Sequence, residues 1–193
     1  MRLSDGEPIR GDLVAVIDES SRTAGAGVYY IVTAAVIFDW PDVRERIRGV
    51  IGERKSPFHY RREGPEAIRR MATVLEEVDV VASVLWRSVG RRHQVDARRN
   101  LLAAHARRLA DDGVSHLIIE SGDEATDQRD RRTLLREFAA SVVPFSYDWR
   151  SKSEPLLWIA DAVCGIASSF LLDGSSESFD RLAAAGIIEV TNG

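Results

Sequence analysis

The pattern of apolar and polar positions along the chain predicts strands and helices that alternate. Five apolar runs have the length and composition of strands, and they lie at 13–17, 28–38, 78–89, 114–119 and 142–149. Segments with helical spacing or helix-start signals lie between and after them, at 42–53, 65–77, 95–112, 128–141 and 154–172. Two adjacent strands followed by strand–helix alternation predict an α/β fold, with one mixed, five-stranded sheet and helices packed on it.

The first two strands predict the centre of that sheet. Residues 13–17 are apolar without a break, which is typical of a strand buried on both faces. The run ends in the polar segment 18–21, and we interpret this segment together with Gly25 and Gly27 as a turn. The second strand should therefore lie antiparallel to the first. The chain has no internal repeat or linker, so we expect residues 1–193 to form one domain.

Two later features refine the strand prediction. Pro144 lies inside the run 142–149 and is typical of an edge strand or a bulge. The tail, 179–193, has the pattern of a helical turn followed by a candidate strand at 187–190.

Two acidic residues follow predicted strands. Asp18 comes directly after the most apolar strand, and Glu120 comes after Leu117-Ile118-Ile119. Open α/β sheets place their chemistry at the carboxyl ends of parallel strands, so these side chains would lie side by side if the two strands are parallel neighbours. The alternative is that each acid simply marks the point where a strand reaches the surface.

A third acidic residue, Asp161, lies inside a predicted helix that is apolar nearly all round, from Leu156 to Ala167. Such a helix is buried, and a buried carboxylate is costly unless it is paired or binds a metal ion. Gly165, one turn later, lacks a side chain and would let that face approach the sheet closely. The alternatives for Asp161 are an ion pair with an arginine or a position at the rim of the domain.

Together the three acids predict a metal site. Carboxylates at close range repel one another unless they share protons or bind cations. Mg²⁺ and Mn²⁺ prefer oxygen ligands, and a pair of such ions held by acidic residues is the arrangement used for phosphodiester hydrolysis. We therefore expect Asp18, Glu120 and Asp161 to converge, with Glu19 as a further ligand.

These residues also carry a resemblance to a protein family. Asp18-Glu19-Ser20 followed by a long apolar strand, and later Ser153, Leu157, Ala160, Asp161 and Gly165, fall on the pattern of domain of unknown function 3800, DUF3800. The chain resembles that family over nearly its whole length, and His59 and Glu120 match its intervening loop and strand end. The resemblance implies a ribonuclease H-like fold with an acidic, metal-dependent nuclease centre. Ser21, Trp158 and Glu120 depart from the usual Gly, Gln and Asp.

His59 is a further candidate for the site. It lies in a polar loop, 55–64, between two aromatic residues. In an active site it could transfer a proton or contact phosphate. The alternative is a partly exposed loop histidine with no such role.

Charge and cysteine content narrow the classes of function. The net charge is −4, so the chain as a whole is not a polycation, although its basic residues cluster in pairs that could hold phosphates or simply be solvated. Of its 26 basic residues only Lys55 and Lys152 are lysines. The single cysteine excludes an internal disulfide and a thiolate zinc site. No apolar run reaches membrane-spanning length and the first residues lack a signal core, so we expect a cytoplasmic protein that does not bind membranes.

Three functions remain open from the sequence. The first is a divalent-metal-dependent nuclease that acts on DNA or RNA, with Asp18, Glu19, His59, Glu120 and Asp161 as catalytic residues and all but His59 as ligands of Mg²⁺ or Mn²⁺. The second is a catalytically weak or inactive ribonuclease H-like binding module of a mobile-element or defence system. The third is an enzyme that acts on a small phosphorylated substrate.

Overall fold

A computed structural model of the chain describes residues 12–25, 27–52, 56–139, 145–174 and 176–193. Six strands are found there: β1 (Val14–Ala24), β2 (Gly27–Ile37), β3 (Val80–Val89), β4 (His116–Glu120), β5 (Ser146–Arg150) and β6 (Ile188–Asn192). The same residues form six α-helices: α1 (Trp40–Ile51), α2 (Pro65–Glu76), α3 (Gln94–Asp111), α4 (Glu124–Phe138), α5 (Leu157–Asp173) and α6 (Glu177–Ala184).

The strands form one mixed sheet in the order β5-β4-β1-β2-β3-β6. The pairs β1–β2 and β2–β3 are antiparallel, whereas β1–β4, β4–β5 and β3–β6 are parallel. The predicted mixed α/β sheet is confirmed, but within the described residues it has six strands rather than five, because the candidate strand in the tail pairs with β3. The edge position predicted for the run that contains Pro144 is also observed, since β5 is an outermost strand; Pro144 itself lies outside the described residues.

Helices cover both faces of the sheet. Alternate side chains of β1 point to opposite faces, so that Val14 and Val16 pack in one apolar core and Ala15 and Ile17 in another. The first core is closed by α1, α2, α5 and α6. The second core is closed by α3 and α4.

The first strand is longer than the sequence pattern predicts. The segment 18–21, which we interpreted as part of a turn, continues β1 in an unbroken antiparallel register with β2 as far as Ala24 and Gly27. The turn lies at Gly25, where φ is +58°. Polar residues persist in this strand because β4 pairs only with Val14–Ile17, so the β1–β2 hairpin runs beyond β4 and becomes exposed on alternate residues.

The helix α5 is the most deeply buried helix, with its residues from Leu157 to Ser168 all in the core. Within the described part of the chain, no single helix is long and apolar enough to cross a membrane. Helices α5 and α6 meet that test only when they are counted together across a bend of 115°.

Candidate active site

The alternation of side chains along β1 and β4 directs two acids toward helix α5. Asp18 follows Val14 and Val16 at steps of two, and Glu120 follows Ile118 by two, and all three apolar residues belong to the core that contains α5. Asp161 lies on α5 and is 7% exposed. The sheet and the helix therefore bring together Asp18, Glu120 and Asp161, which we call the acidic cluster.

The ammonium group of Lys152 lies at the centre of the acidic cluster. Its Nζ is 3.0 Å from Oε2 of Glu120, 3.1 Å from Oδ1 of Asp161 and 3.9 Å from Oδ2 of Asp18. Because one nitrogen atom contacts all three carboxylates, the predicted convergence of the three acids is confirmed. Their roles as metal ligands and catalytic residues stay predictions.

The cluster concentrates charge away from water. Burial raises the pKa of Asp18 well above its usual range; Lys152 opposes this effect, whereas Asp161 and Glu120 add to it. Burial by itself lowers the pKa of Lys152, but the neighbouring carboxylates more than offset it, so the pKa of this ammonium lies above its usual value. The cluster therefore favours cations and protons.

A segment before α2 closes one side of the cluster. The backbone N–H of Tyr60 donates to Oδ2 of Asp161 at 2.7 Å, and Nδ1 of His59 lies 3.7 Å from the same oxygen. The hydroxyl of Tyr60 lies 3.0 Å from Oγ of Ser169 on α5. The sequence predicted that Gly165 lets α5 approach the sheet, but the ring of Tyr60 occupies this space instead: a Cβ at position 165 would overlap it.

The segment that carries Lys152 is held in place by neighbouring side chains. The indole N–H of Trp158 donates to the backbone carbonyl of Lys152 at 2.6 Å. Glu154, which is 5% exposed, accepts hydrogen bonds from Arg44 on α1 and Arg150 on β5. The departure at Trp158 thus has a structural role, because it fixes the backbone that presents the ammonium.

Glu19 does not join the acidic cluster. It is the next residue along β1 after Asp18, so its side chain points to the opposite face of the sheet. There its carboxylate contacts Arg98 of α3 and accepts a hydrogen bond from the hydroxyl of Tyr30. Arg98 also pairs with the buried Asp130 of α4 at 2.6 Å. These contacts give the carboxylate of Glu19 partners of its own, and its role as a metal ligand stays a prediction.

The acidic cluster opens into a cleft of about 470 Å³ at the end of β4. Three arginine side chains also line this cleft, namely Arg22, Arg61 and Arg98. Arg98 is committed to Glu19 and Asp130, and Arg61 donates to Oγ of Ser20 and the carbonyl of Ser21, both at 3.1 Å. The cleft thus combines carboxylates at its base with guanidinium groups on its wall.

The donor set fits a hard divalent cation in its chemistry. Carboxylate oxygens are the ligands that Mg²⁺ and Mn²⁺ prefer, and the charge of the cluster favours cations. Nonetheless, no group of three or more His, Cys, Asp or Glu side chains in the described part of the chain is arranged to hold a metal ion as it stands. In this structure the three carboxylates surround the ammonium of Lys152.

Sequence reasoning missed Lys152 as part of the site. Its signal was present: arginine supplies nearly all the basic residues of this chain, and Lys152 lies nine residues before Asp161. A compact ammonium fits between carboxylates where a planar guanidinium would need more room. The contribution of Tyr60 had no sequence signal, because its backbone N–H makes the contact with Asp161.

Comparison with known proteins tests the predicted fold. No family model matches the chain, and no curated protein matches it. Among solved structures, the chain is similar to one from the structure of the PCNA:RNase HII complex from Archaeoglobus fulgidus, with a TM-score of 0.52 and 15% identity over 92% of this chain and 91% of that chain. The neighbour is an RNase HII, so the predicted ribonuclease H-like fold is confirmed.

Proposed function

We propose that this protein is a divalent-metal-dependent nuclease that hydrolyses phosphodiester bonds in DNA or RNA. The observation that carries the proposal is the convergence of three carboxylates, from β1, β4 and α5, on one cation at the base of an open cleft. The ribonuclease H-like fold supports it, as does the resemblance of the sequence to DUF3800, a family to which we propose the chain is related.

Each part of the cleft would have a distinct task. The acidic cluster would hold Mg²⁺ or Mn²⁺, which supplies Lewis-acid catalysis of phosphodiester hydrolysis when bound. Arg61 and Arg22 on the wall would hold the phosphate backbone. His59, beside Asp161, is placed to move a proton or to contact the phosphate.

A cleavage assay tests the proposal. Labelled single- and double-stranded DNA, RNA and an RNA–DNA hybrid are incubated with the protein in Mg²⁺, Mn²⁺ or chelator. We expect metal-dependent cleavage, with a rate that falls by more than about a hundredfold in both Asp18→Asn and Asp161→Asn. Changes to residues that only hydrogen-bond to metal ligands already lower metal affinity or activity by about 10- to 100-fold. The exposed Asp112→Asn is the matched control and should retain activity. Cleavage that survives in both cluster variants would contradict the proposal.

His59 is tested in the same assay. We expect His59→Ala to lower cleavage by about a hundredfold, the size of one lost general acid or base, while metal affinity stays within a few-fold of the wild type. The matched control is His93→Ala, because His93 is exposed in a 3₁₀ turn away from the cleft. Full activity in His59→Ala would remove this residue from the site.

A second function is favoured by one observation. An ammonium already neutralises part of the acidic cluster, which suits a ribonuclease H-like binding module that holds nucleic acid without cleaving it. Such a module would bind nucleic acid equally well with Mg²⁺ and with chelator and would give no heat on metal titration. Metal-dependent cleavage by the wild type decides for the nuclease.

A further inference from the structure

We propose that Lys152 is a built-in cation of the acidic cluster, which occupies the cluster in the metal-free protein and must leave it when a divalent ion binds. The inference rests on the proposed metal site and goes beyond it, because it assigns a residue that opposes metal loading. The metal affinity of this protein would then be set by a competition between its own ammonium and the ion.

The first step is that the ammonium of Lys152 occupies the place where a divalent ion would bind. Its Nζ lies within hydrogen-bonding distance of Oε2 of Glu120 and Oδ1 of Asp161, and it is 3.9 Å from Asp18. An ion held by all three carboxylates would have to lie between them, which is where Nζ is. A divalent ion and an ammonium at the same place repel strongly in a site shielded from water, so the two cations exclude each other.

The second step is that the side chain of Lys152 can move out of the acidic cluster. Lysine has a flexible four-carbon stem, and the side chain of Lys152 keeps 20% of its surface exposed, on the wall of the cleft. Its backbone is fixed by the hydrogen bond from Trp158. Displacement of the ammonium therefore needs a change of side-chain rotamer toward the cleft and no movement of the segment that carries it.

On the other face of the sheet, an arginine rather than a lysine pairs with buried or partly buried carboxylates. There the carboxylates of Glu19 and Asp130 are held by an arginine, Arg98, which grips Asp130 with Nε and Nη2. Arginine supplies nearly all the basic residues of this chain, yet the acidic cluster has a lysine. An ammonium makes single, rotatable contacts, which suits a cation that has to be released.

Metal titration of matched variants tests the inference. Mn²⁺ and Mg²⁺ affinities are measured by calorimetry for the wild type, Lys152→Met, Lys152→Arg and Arg61→Met. We expect Lys152→Met to bind about tenfold or more tightly, the size of effect that one neighbouring charge has on a proton affinity. Lys152→Arg keeps the charge and should show no such gain. Arg61→Met removes a charge from the same cleft but not from the acidic cluster, and its affinity should stay within about threefold of the wild type.

The outcomes separate this inference from the proposed function. Equal or weaker binding by Lys152→Met, with binding by the wild type, would overturn the inference and leave the metal site standing. An absence of metal binding in every variant would overturn both.

A second measurement does not depend on removing Lys152. The chain has only two lysines, so a Lys55→Arg background leaves Lys152 as the sole source of a ¹⁵Nζ signal. An ammonium held by carboxylates exchanges its protons slowly and gives a visible signal, whereas a solvated ammonium exchanges too fast. We expect the signal in the metal-free protein and its loss at saturating Mg²⁺. A signal that persists at saturation would show that Lys152 stays in the cluster, and would overturn the inference.

Discussion

At the scale of single residues, Asp18 is a carboxyl group whose burial opposes its charge. It is 9% exposed and faces two other acids, whose effect Lys152 opposes. The folded chain therefore binds a proton at Asp18 more tightly than the unfolded chain does. A group whose pKa is raised on folding stabilises the protein at low pH, and this contribution is lost as the pH rises through the folded value.

The pH dependence of stability tests this account of Asp18. From about pH 4, the unfolded value, up to the raised folded pKa, the carboxyl lowers the free energy of unfolding of the wild type progressively. Asp18→Asn removes this effect, so the stability of the variant relative to the wild type should rise with pH. Denaturant unfolding across this pH range, without metal, measures the difference, and Asp112→Asn corrects for the loss of one surface carboxylate. A difference that falls with rising pH would contradict the account.

Gly165 is the residue of α5 against which the ring of Tyr60 packs. We expect Gly165→Ala to lower the free energy of unfolding by about 1–3 kcal/mol, because the added Cβ overlaps the ring of Tyr60 and the packing there must shift. The same change at Gly49 is the matched control, since that glycine is exposed on α1 with open space around it. There the gain in helix propensity should stabilise the protein by about 0.5–1 kcal/mol. Changes of the same sign at both positions would contradict this role of Gly165.

At the scale of elements, Glu154 links three parts of the fold. Its carboxylate receives hydrogen bonds from Arg44 on α1, Arg150 on β5 and the backbone N–H of Leu156 just before α5. It therefore fixes the segment that carries Lys152 against both the sheet and a helix.

Removal of that charge should be costly. We expect Glu154→Gln to lower the free energy of unfolding by about 3 kcal/mol, because it removes the buried negative charge that Arg44 and Arg150 share, although Arg150 keeps its ion pair with Asp148. Glu66→Gln is the control: Glu66 pairs with Arg70 on the exposed side of α2, and its loss should cost less than about 0.5 kcal/mol. Thermal or denaturant unfolding compares the two variants, and similar losses would contradict the linking role of Glu154.

The sequence predicts the elements well where one physical signal dominates. Apolar runs located the strands, and the acid inside the apolar helix α5 pointed to the site. The end of β1 was misplaced because its last residues are polar. These residues pair with β2 up to the tip of the hairpin, and that pairing outweighs their local preference for a turn. Glu19 lies apart from the acidic cluster for a related reason, since neighbours in a strand point to opposite faces.

At the scale of the whole molecule, a chain with net charge −4 presents a cleft with acids at its base and arginines on its wall. The acidic cluster could be predicted from three positions in the sequence, because parallel strands end at the same edge of a sheet. The contacts that Lys152 and Tyr60 make with the cluster could not be predicted, because they depend on how two loops close over that edge.

Salt dependence tests the basic wall. In an Asp18→Asn background that should not cleave, we expect Arg61→Ala to weaken nucleic-acid binding and to lower the slope of log affinity against log salt by about one, the effect of one lost phosphate contact. Arg69→Ala is the control, because Arg69 is exposed on α2 and does not line the cleft. An unchanged slope in Arg61→Ala would remove this residue from the interface.

The central claim is that Asp18, Glu120 and Asp161 form a site for divalent cations. Its most direct test is a crystal structure of the wild-type protein with Mn²⁺, with data collected at a wavelength where manganese scatters anomalously. We predict an anomalous peak that marks a Mn²⁺ ion bound by carboxylate oxygens of the acidic cluster, with the ammonium of Lys152 turned into the cleft. A well-ordered structure at saturating Mn²⁺ that shows no such peak, with Lys152 still between the three carboxylates, would contradict the claim.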